Sequence, residues 1–346
     1  VLGICLLVCF GTGLLSHYQY HPWSWLPEPA SPAWGYRLSQ GVHVFTGIAC
    51  IPLVLVKLWT VYPRLLEWPP ARSVLHALER LSIAVLVSTV LLELITGLLN
   101  ILNWYPWPWD FVYVHYALAW AVAGSVTLHI AVKLDVIHSG LASPVEAGRP
   151  TSGISRRGVL LATAGGVGVV TLTTVGQAAS PLKPFAVLAP RRPDQAPLAV
   201  PINRTAAQAD VVSRAHAASY RLTVEGPTAF ELALAALEEL ATVDRTIPLA
   251  CVEGWSVSAQ WRGVRLIDLV RRAGGDAHSR VRVVSLETVG AFGSSIVSGP
   301  QLGQALLATH LNGSRLTIDH GYPIRLIAPN RAGVLNTKWL TRVTVL

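Results

Sequence analysis

The residues in this chain able to do redox chemistry are one solitary thiol and a set of histidines embedded in apolar sequence. Cys251 lies in ACVEGWSVSAQW, residues 250–261, and every other cysteine, Cys5, Cys9 and Cys50, falls in the first 50 residues. It therefore has no partner in its own half for a disulfide. Among Val252, Trp255 and Trp261 such a thiol is an inert core residue or a ligand, and residue types alone leave both open. His115 and His129 stand 14 residues apart in one apolar run. That is close to four helical turns, so both face one way with about 21 Å between them along the axis. Histidines inside a bilayer are costly and functional by default, and this spacing lets one helix offer ligands at two depths. Glu93, in LLELITG, is the other costly group. It fits proton carriage, or a neutral acid hydrogen-bonded within a helical bundle.

The elements that must position these groups differ between the two halves. A mean hydropathy of +0.46 with only 13% charged residues over 346 positions is too apolar for a soluble protein. Five apolar runs are read as membrane spans: 1–15, 38–61, 76–102, 114–133 and 158–175. The chain opens on Val1 inside the first run, which implies a truncated helix and a missing start. Trp- and Tyr-rich HYQYHPWSWLPEPASPAWGY and NWYPWPWDFVY suit interfacial loops outside the membrane, while Arg64 and Arg72 place the intervening loop in the cytoplasm. Arg149, Arg156 and Arg157 mark a cytoplasmic linker before the fifth span. The pair in SRRGVLLATAGG either anchors a helix or resembles a twin-arginine export signal. After it, SPLKPFAVLAPRRPDQAPLAV reads as an extended tether, which puts the remainder outside the membrane.

The remainder mixes β-rich runs (YRLTVEG, VRVVSLET, RLTIDH, IRLIAP) with helical stretches near 231–241 and 266–273, an α+β pattern. Neither a P-loop nor a dinucleotide fingerprint occurs. The net charge of +8 comes without a stripe of Lys/Arg interleaved with aromatics, which argues against nucleic acid as a partner.

A histidine pair of this spacing on one helix resembles, loosely, the di-haem b-type cytochrome subunits of quinone-linked oxidoreductases. The topology then assigns partners: His43 to His115 for an outer haem, His76 to His129 for an inner one. Lys57 stands 14 residues past His43, so the second span cannot serve both haems, and His76 next to Glu79 and Arg80 also fits an interfacial residue. His17 and His21 read as loop or belt residues, with His17 a competitor for the outer site.

Around Cys251 the sequence continues WRGVRLIDLVRRAGG, and later come SLETVGAF, NGSRLTIDHGYPIRLIAPN and LNTKWLTRVTVL. In that order these segments resemble the sulfite-oxidase-type molybdopterin enzymes, most closely the bacterial periplasmic methionine sulfoxide reductase catalytic subunit, over roughly 200–346. The resemblance implies that Cys251 ligates molybdenum. It also implies that Asn203, Ala206, Ala207, Thr288, His320, Arg325, Asn336, Thr337 and Lys338 contact the pterin and its phosphate. Arg325 and Lys338 are apt for a buried phosphate, one bidentate and one a point charge. His320 departs from the asparagine of the reductase. Cys251 is followed by Val252, Glu253, Gly254 and Trp255 rather than by the arginines of sulfite oxidases, although Arg262 or Arg331 are candidates to reach the pocket.

These readings combine into a multi-domain protein, an all-α transmembrane helical bundle followed by an α+β domain of the sulfite oxidase fold. The expected divisions are a four-helix haem b domain (1–140), a linker (141–157), a fifth span (158–176), a tether (177–199) and an extracytoplasmic molybdopterin domain (200–346). The expected function is electron exchange between membrane quinone, one or two b haems and molybdenum, with reduction of a small S-oxide or N-oxide. The alternatives are a sulfite dehydrogenase passing electrons to quinone, and a haem-binding redox anchor whose outer domain docks a partner.

Overall fold

The computed structural model describes residues 1–23, 25–70, 72–142, 155–288, 290 and 292–346. Arg149 and most of the expected linker lie outside the described residues. Packing divides the chain into two units, residues 1–11 with 43–175 and residues 12–42 with 176–346.

Among the described residues, five helices are long and apolar enough to cross a membrane: α1 (Leu2–Tyr20), α2 (Gly35–Leu65), α3 (Val74–Leu102), α4 (Phe111–Val132) and, after a short α5 (Leu134–Ala142), α6 (Arg156–Val175). Their limits follow from capping chemistry. The Ser73 hydroxyl accepts the His76 N–H at the start of α3, Asn103 closes that helix in the left-handed region at φ 53, and the Asp110 carboxylate accepts from the N–H groups of Val112 and Tyr113 at the start of α4. Helix α1 runs beyond the expected 1–15, through HYQY. Its polar end is satisfied by side chains of α2: Ser16 donates to Gln40 (2.8 Å) and Ser39 donates to the buried Gln19 (3.2 Å).

The remaining elements form two five-stranded sheets. The first runs in the order β2 (Phe230–Ala233), β1 (Arg221–Glu225), β10 (Leu340–Val345), β5 (Val281–Ser285), β6 (Ser294–Val297). Its β1–β10 pair is parallel and joins the two ends of the domain. The second comprises β3 (Val243–Ala250), β4 (Ser256–Arg265), β7 (Leu306–Leu311) and β8 (Ser314–Arg315), with β9 (Arg325–Ile327) also paired to β7. Helices α7 (Val212–Ala215), α8 (Leu234–Leu240), α9 (Leu266–Arg272) and α10 (Gly299–Gln304) complete the α+β fold.

Two local expectations change. The stretch 231–241 is helical only from Leu234, because Leu232 is buried opposite Leu222 and draws 230–233 into the sheet. RLTIDH is mostly not strand: it holds the end of two-residue β8 and a 3-10 turn at Ile318–His320.

One core cluster packs β1, β5 and β10 against α8 and α9, with Leu222, Leu237 and Leu266 fully buried. A second lies on the β3–β4–β7 sheet around Trp261, whose indole N–H donates to the Ile247 carbonyl (3.3 Å). Strands β4 and β7 meet at Gly263, where a Cβ would sit 2.1 Å from the Leu307 carbonyl oxygen. Backbone cannot yield there as a flexible side chain would. Gly263→Ala is therefore expected to cost about 3 kcal/mol or to prevent folding of this domain, from overpacking against main chain. Thermal unfolding of the purified chain checks this, and an unchanged midpoint would show that the strands separate freely.

Candidate functional site

Strands β3 and β4 are joined by five residues, and the first is Cys251. Its N–H donates to the Trp255 carbonyl (3.0 Å) and its own carbonyl accepts from Gly254 (3.1 Å), with Gly254 at φ 84 supplying the left-handed residue the turn requires. Ala250 bridges to Ala332, and a Cβ on Gly333 would stand 2.8 Å from the Ala250 carbonyl oxygen, so the loop is gripped from that side too. Cys251 is buried, and the Asn203 amide donates to its sulfur (2.8 Å). Burial, and then the nearby Glu253 carboxylate, push the thiol well above its ordinary value, with Asn203 and Arg191 opposing. A thiol held protonated in this way is a poor nucleophile, whereas a metal can displace its proton outright.

The thiol opens into a pocket of ≈ 690 Å³ including its mouth. Seven of the expected residues line it: Asn203, Cys251, His320, Arg325, Asn336, Thr337 and Lys338. Ala206, Ala207 and Thr288 are not in the lining; Ala206 is buried with its N–H on the Asp319 carboxylate (2.7 Å), and the other two are exposed. Arg262 and Arg331 do not reach the pocket either. The first donates to the Ala241 carbonyl, the second to Gln301 and the Ile296 carbonyl. Sequence reasoning missed Arg204, Glu287 and Asp319, although all three adjoin residues it named.

The pocket's cations have an unusual environment. Arg325 is buried, its two terminal nitrogens donate to the carbonyls of His320 (2.9 Å) and Asn336 (3.1 Å), and its Nε has no partner. The guanidinium carbon lies 5.3 Å from the centre of the Trp261 ring. Lys338 donates to the carbonyls of Arg204 (2.5 Å) and Asp319 (3.0 Å). Burial lowers Arg325 to about 9, and burial followed by the charge of Arg325 lowers Lys338 to about 7. Among the described residues neither is ion-paired with a carboxylate, while Arg204 pairs with Glu287 (2.8 Å). Buried cations held only by carbonyl dipoles, one with an unused N–H, suit an anionic ligand.

Other members shape the wall. His320 is bonded through both ring nitrogens, to Thr317 (2.7 Å) and to the Val200 carbonyl (2.9 Å). The Asn336 amide accepts from Ala328 N–H (2.8 Å) and donates to the Ala332 carbonyl (3.3 Å), and Thr337 bonds Ser295 (2.8 Å).

In the first unit the rings of His43 and His115 stand 6.3 Å apart, centre to centre. His43 Nδ1–H donates to the Cys9 carbonyl (2.9 Å). His115 Nδ1–H donates to the Thr96 hydroxyl (3.0 Å), which itself donates to the Glu93 carbonyl. The Nδ1 of each ring is thereby engaged and Nε2 is the nitrogen left to meet a metal, as in metal-ligating histidines oriented by outer partners, with that of His115 taken up here by Glu93. Two imidazoles each about 2.0 Å from one metal put their ring centres about 6 Å apart, so the pair fits a shared metal. Glu93 reaches the same place, with Oε1 3.1 Å from His115 Nε2. No comparable contact joins His76 and His129 among the described residues: His76 Nδ1 accepts the Arg72 N–H (3.2 Å), and Glu79 pairs with Lys133.

No group of three or more His, Cys, Asp or Glu able to hold a metal occurs among the described residues. A metal that brings its own organic ligand, and asks the protein for one thiolate or two imidazoles, fits what is present.

Comparison with known proteins agrees over the second unit. The family described as oxidoreductase molybdopterin binding domain matches residues 208–346. The mitochondrial sulfite oxidase of Drosophila melanogaster is 38% identical over 25% of this chain and 17% of that protein, and the sulfite oxidase of Gallus gallus 32% identical over 37% and 35%. A protein of Azospira oryzae named for a protein-methionine-sulfoxide reductase subunit, YedZ1, is 31% identical over 39% of this chain and 52% of its own length. The chain spans from about a tenth to about half of the length of the relatives it matches.

The buried ammonium gives a test that needs no substrate. Folding depresses Lys338 from 10.5 to about 7, so between those values the unfolded chain carries a proton that the folded one does not. Stability then rises with pH through that window. The cofactor-free chain in detergent is expected to gain melting temperature from pH 7 to 8.5, below the range where Cys251 would oppose the trend, and Lys338→Met should flatten the gain. Equal slopes in the two proteins would count against the buried cation.

Proposed function

We propose, from a chain whose residues 208–346 form a molybdopterin-binding domain of the sulfite oxidase type, that the protein is a membrane-bound oxidoreductase exchanging electrons between membrane quinone, a b haem and a molybdenum site. The observation that carries this reading is the convergence of Cys251, Asn203, Arg325 and Lys338 on one pocket. Cys251 would be the protein's ligand to molybdenum, and Asn203 orients its sulfur. Arg325 and Lys338 would take the pterin phosphate, filling the unused guanidinium N–H and compensating two buried charges. When bound, the molybdenum cofactor supplies two-electron oxygen-atom transfer.

The substrate we favour is a small neutral S-oxide or N-oxide that is reduced. Near Cys251 the pocket is lined by Leu249, Trp255, Phe292 and Val334, and Glu253 is buried against Arg191 (3.1 Å). With Arg262 and Arg331 engaged elsewhere and Arg204, which lines the pocket, paired with Glu287 (2.8 Å), a doubly charged oxyanion lacks unpaired convergent cations beyond those assigned to the phosphate, and its desolvation is uncompensated. The name of the Azospira relative supports the same direction.

In the membrane half, His43 and His115 would hold one b haem, with Glu93 placed to pass a proton to or from quinone chemistry. The contacts of His76 and His129 give less support to a second haem. The paired arginines Arg156 and Arg157 favour export of the folded domain by the twin-arginine route, which would make residues 200–346 extracytoplasmic in a multi-pass membrane protein. The stretch 177–199 before them is wound into short 3-10 turns, with Gln177, Ala178 and Ala186 buried, rather than drawn out as the expected extended tether.

Cys251→Ser is expected to abolish methionine sulfoxide reduction and leave the haem spectrum intact. A clearly higher specificity constant for sulfite oxidation in the native chain would reverse the substrate assignment. His43→Ala and His115→Ala should each remove the same b haem by pyridine haemochrome assay, and full haem content in both would make the pair structural.

A further inference from the structure

Asn330 spends all its polar groups on residues far from it in sequence. It is buried, adopts φ 51, and lies two residues before the Ala332 bridge to Ala250. Its Oδ1 accepts the Tyr36 N–H (2.6 Å) and the Gln19 amide (3.3 Å), its Nδ2 donates to the Pro29 carbonyl (2.7 Å), and its N–H donates to the Ala33 carbonyl (3.2 Å). Its carbonyl accepts from Gln301, which also takes a proton donated by Arg331. The first N–H groups of a helix have no partner within it. Here the cap of α2 is supplied by a side chain 294 positions away. The fit is tight, since a Cβ on Gly35 would stand 2.7 Å from Asn330 Oδ1.

What this cap seats lies against the pocket. Tyr36 is buried with Ala250 and Ala332, and Tyr20 and Val334 pack on the same cluster. Gln40 donates to the carbonyl of Val252, the residue after Cys251 (3.4 Å). Tyr20 meets the ring of Phe292 edge to face at 5.9 Å. Phe292 and Val334 line the pocket.

We infer that Asn330 is a positioning residue for this site: by capping α2 it seats the α1–α2 connection as a wall behind Cys251, Phe292 and Val334. The inference rests on the molybdenum reading of the pocket. It makes the connection a support behind the substrate site, since its neighbours Phe292 and Val334 line the pocket while it does not.

The test uses the full detergent-solubilised chain with Asn330→Ala, Asn330→Asp and Gly35→Ala. The aspartate keeps the acceptor for Tyr36 and loses the donor to Pro29, and the alanine at 35 wedges the seam from the other side, so a folding failure of Asn330→Ala leaves two readable variants. Hydrogen exchange across residues 29–40 should rise about tenfold in the alanine variants and less in the aspartate, as expected for loss of a helix cap. Molybdenum content should hold while the Mo(V) paramagnetic signal shifts, and KM for methionine sulfoxide should rise severalfold with kcat within about twofold. Unchanged exchange would overturn the seating. Faster exchange with an unshifted signal and unchanged KM would overturn the positioning role. A native chain that holds molybdenum yet fails to turn over methionine sulfoxide would defeat the substrate proposal alone, because exchange and the Mo(V) signal still report on Asn330.

Discussion

A guanidinium buried without a carboxylate is the constraint on which the second unit depends. Arg325 leaves water, where its charge is well solvated, and receives in exchange two main-chain carbonyls and the face of Trp261. Those carbonyls belong to His320 and Asn336, so one side chain ties the 3-10 turn, β9 and the segment before Lys338 into a single wall. His320 holds the turn to Val200, and Asn336 holds its own segment to Ala328 and Ala332. These bonds go to backbone groups of the interior, and the Ala332 carbonyl accepts from the Leu335 N–H as well. Carbonyl dipoles offset only part of the desolvation of a full positive charge, and Lys338 beside it adds to the deficit. An anionic ligand would complete the balance, and the contacts that would prepare its seat also tie the turn at His320 to the segment at Asn336.

The spans and the residues gathered at the pocket were legible in the sequence for different reasons. A span announces itself by composition, which depends on no distant partner. Arg325, Asn336 and Lys338 were recognisable because their segments keep a family's order around Cys251. What stayed hidden depends on pairing. Residues 230–233 carry the pattern of a helix start and become strand because β1 offers Leu222 opposite Leu232. The polar tail of α1 stays helical because Ser39 and Gln40 receive it. Asn330 ends the IAPN run, and nothing local reveals that its amide caps a helix 294 positions away. Ala207 and Thr288 were carried over by resemblance and fall outside the lining.

The histidine pair in the first unit, read as haem ligands, would be one that a helix bundle orients in advance. Each ring is fixed by a bond from Nδ1 to an oxygen, in one case a main-chain carbonyl and in the other a threonine hydroxyl. A ring free to rotate would offer either nitrogen and lose orientational entropy on binding; a ring already oriented has lost it during folding. Glu93 is placed at the same point, its Oε1 against His115. A carboxyl group within a membrane span needs such a partner to be tolerated, and the partner Glu93 has is His115.

Both proposed centres share an economy that explains why the sequence shows so few metal ligands. A metal bound by protein side chains alone asks for three or four donors fixed at once, each with its own entropy cost and its own pKa to overcome. A metal delivered within an organic ligand asks for one thiolate or two imidazoles, and the protein's remaining effort goes to the organic part: cations for a phosphate, apolar walls for a ring. The second unit has that distribution, a single thiol with one amide donor and a basic, aromatic pocket around it. The rarity of Cys and the concentration of Arg, Lys and Trp at the site are then two consequences of one choice of cofactor class.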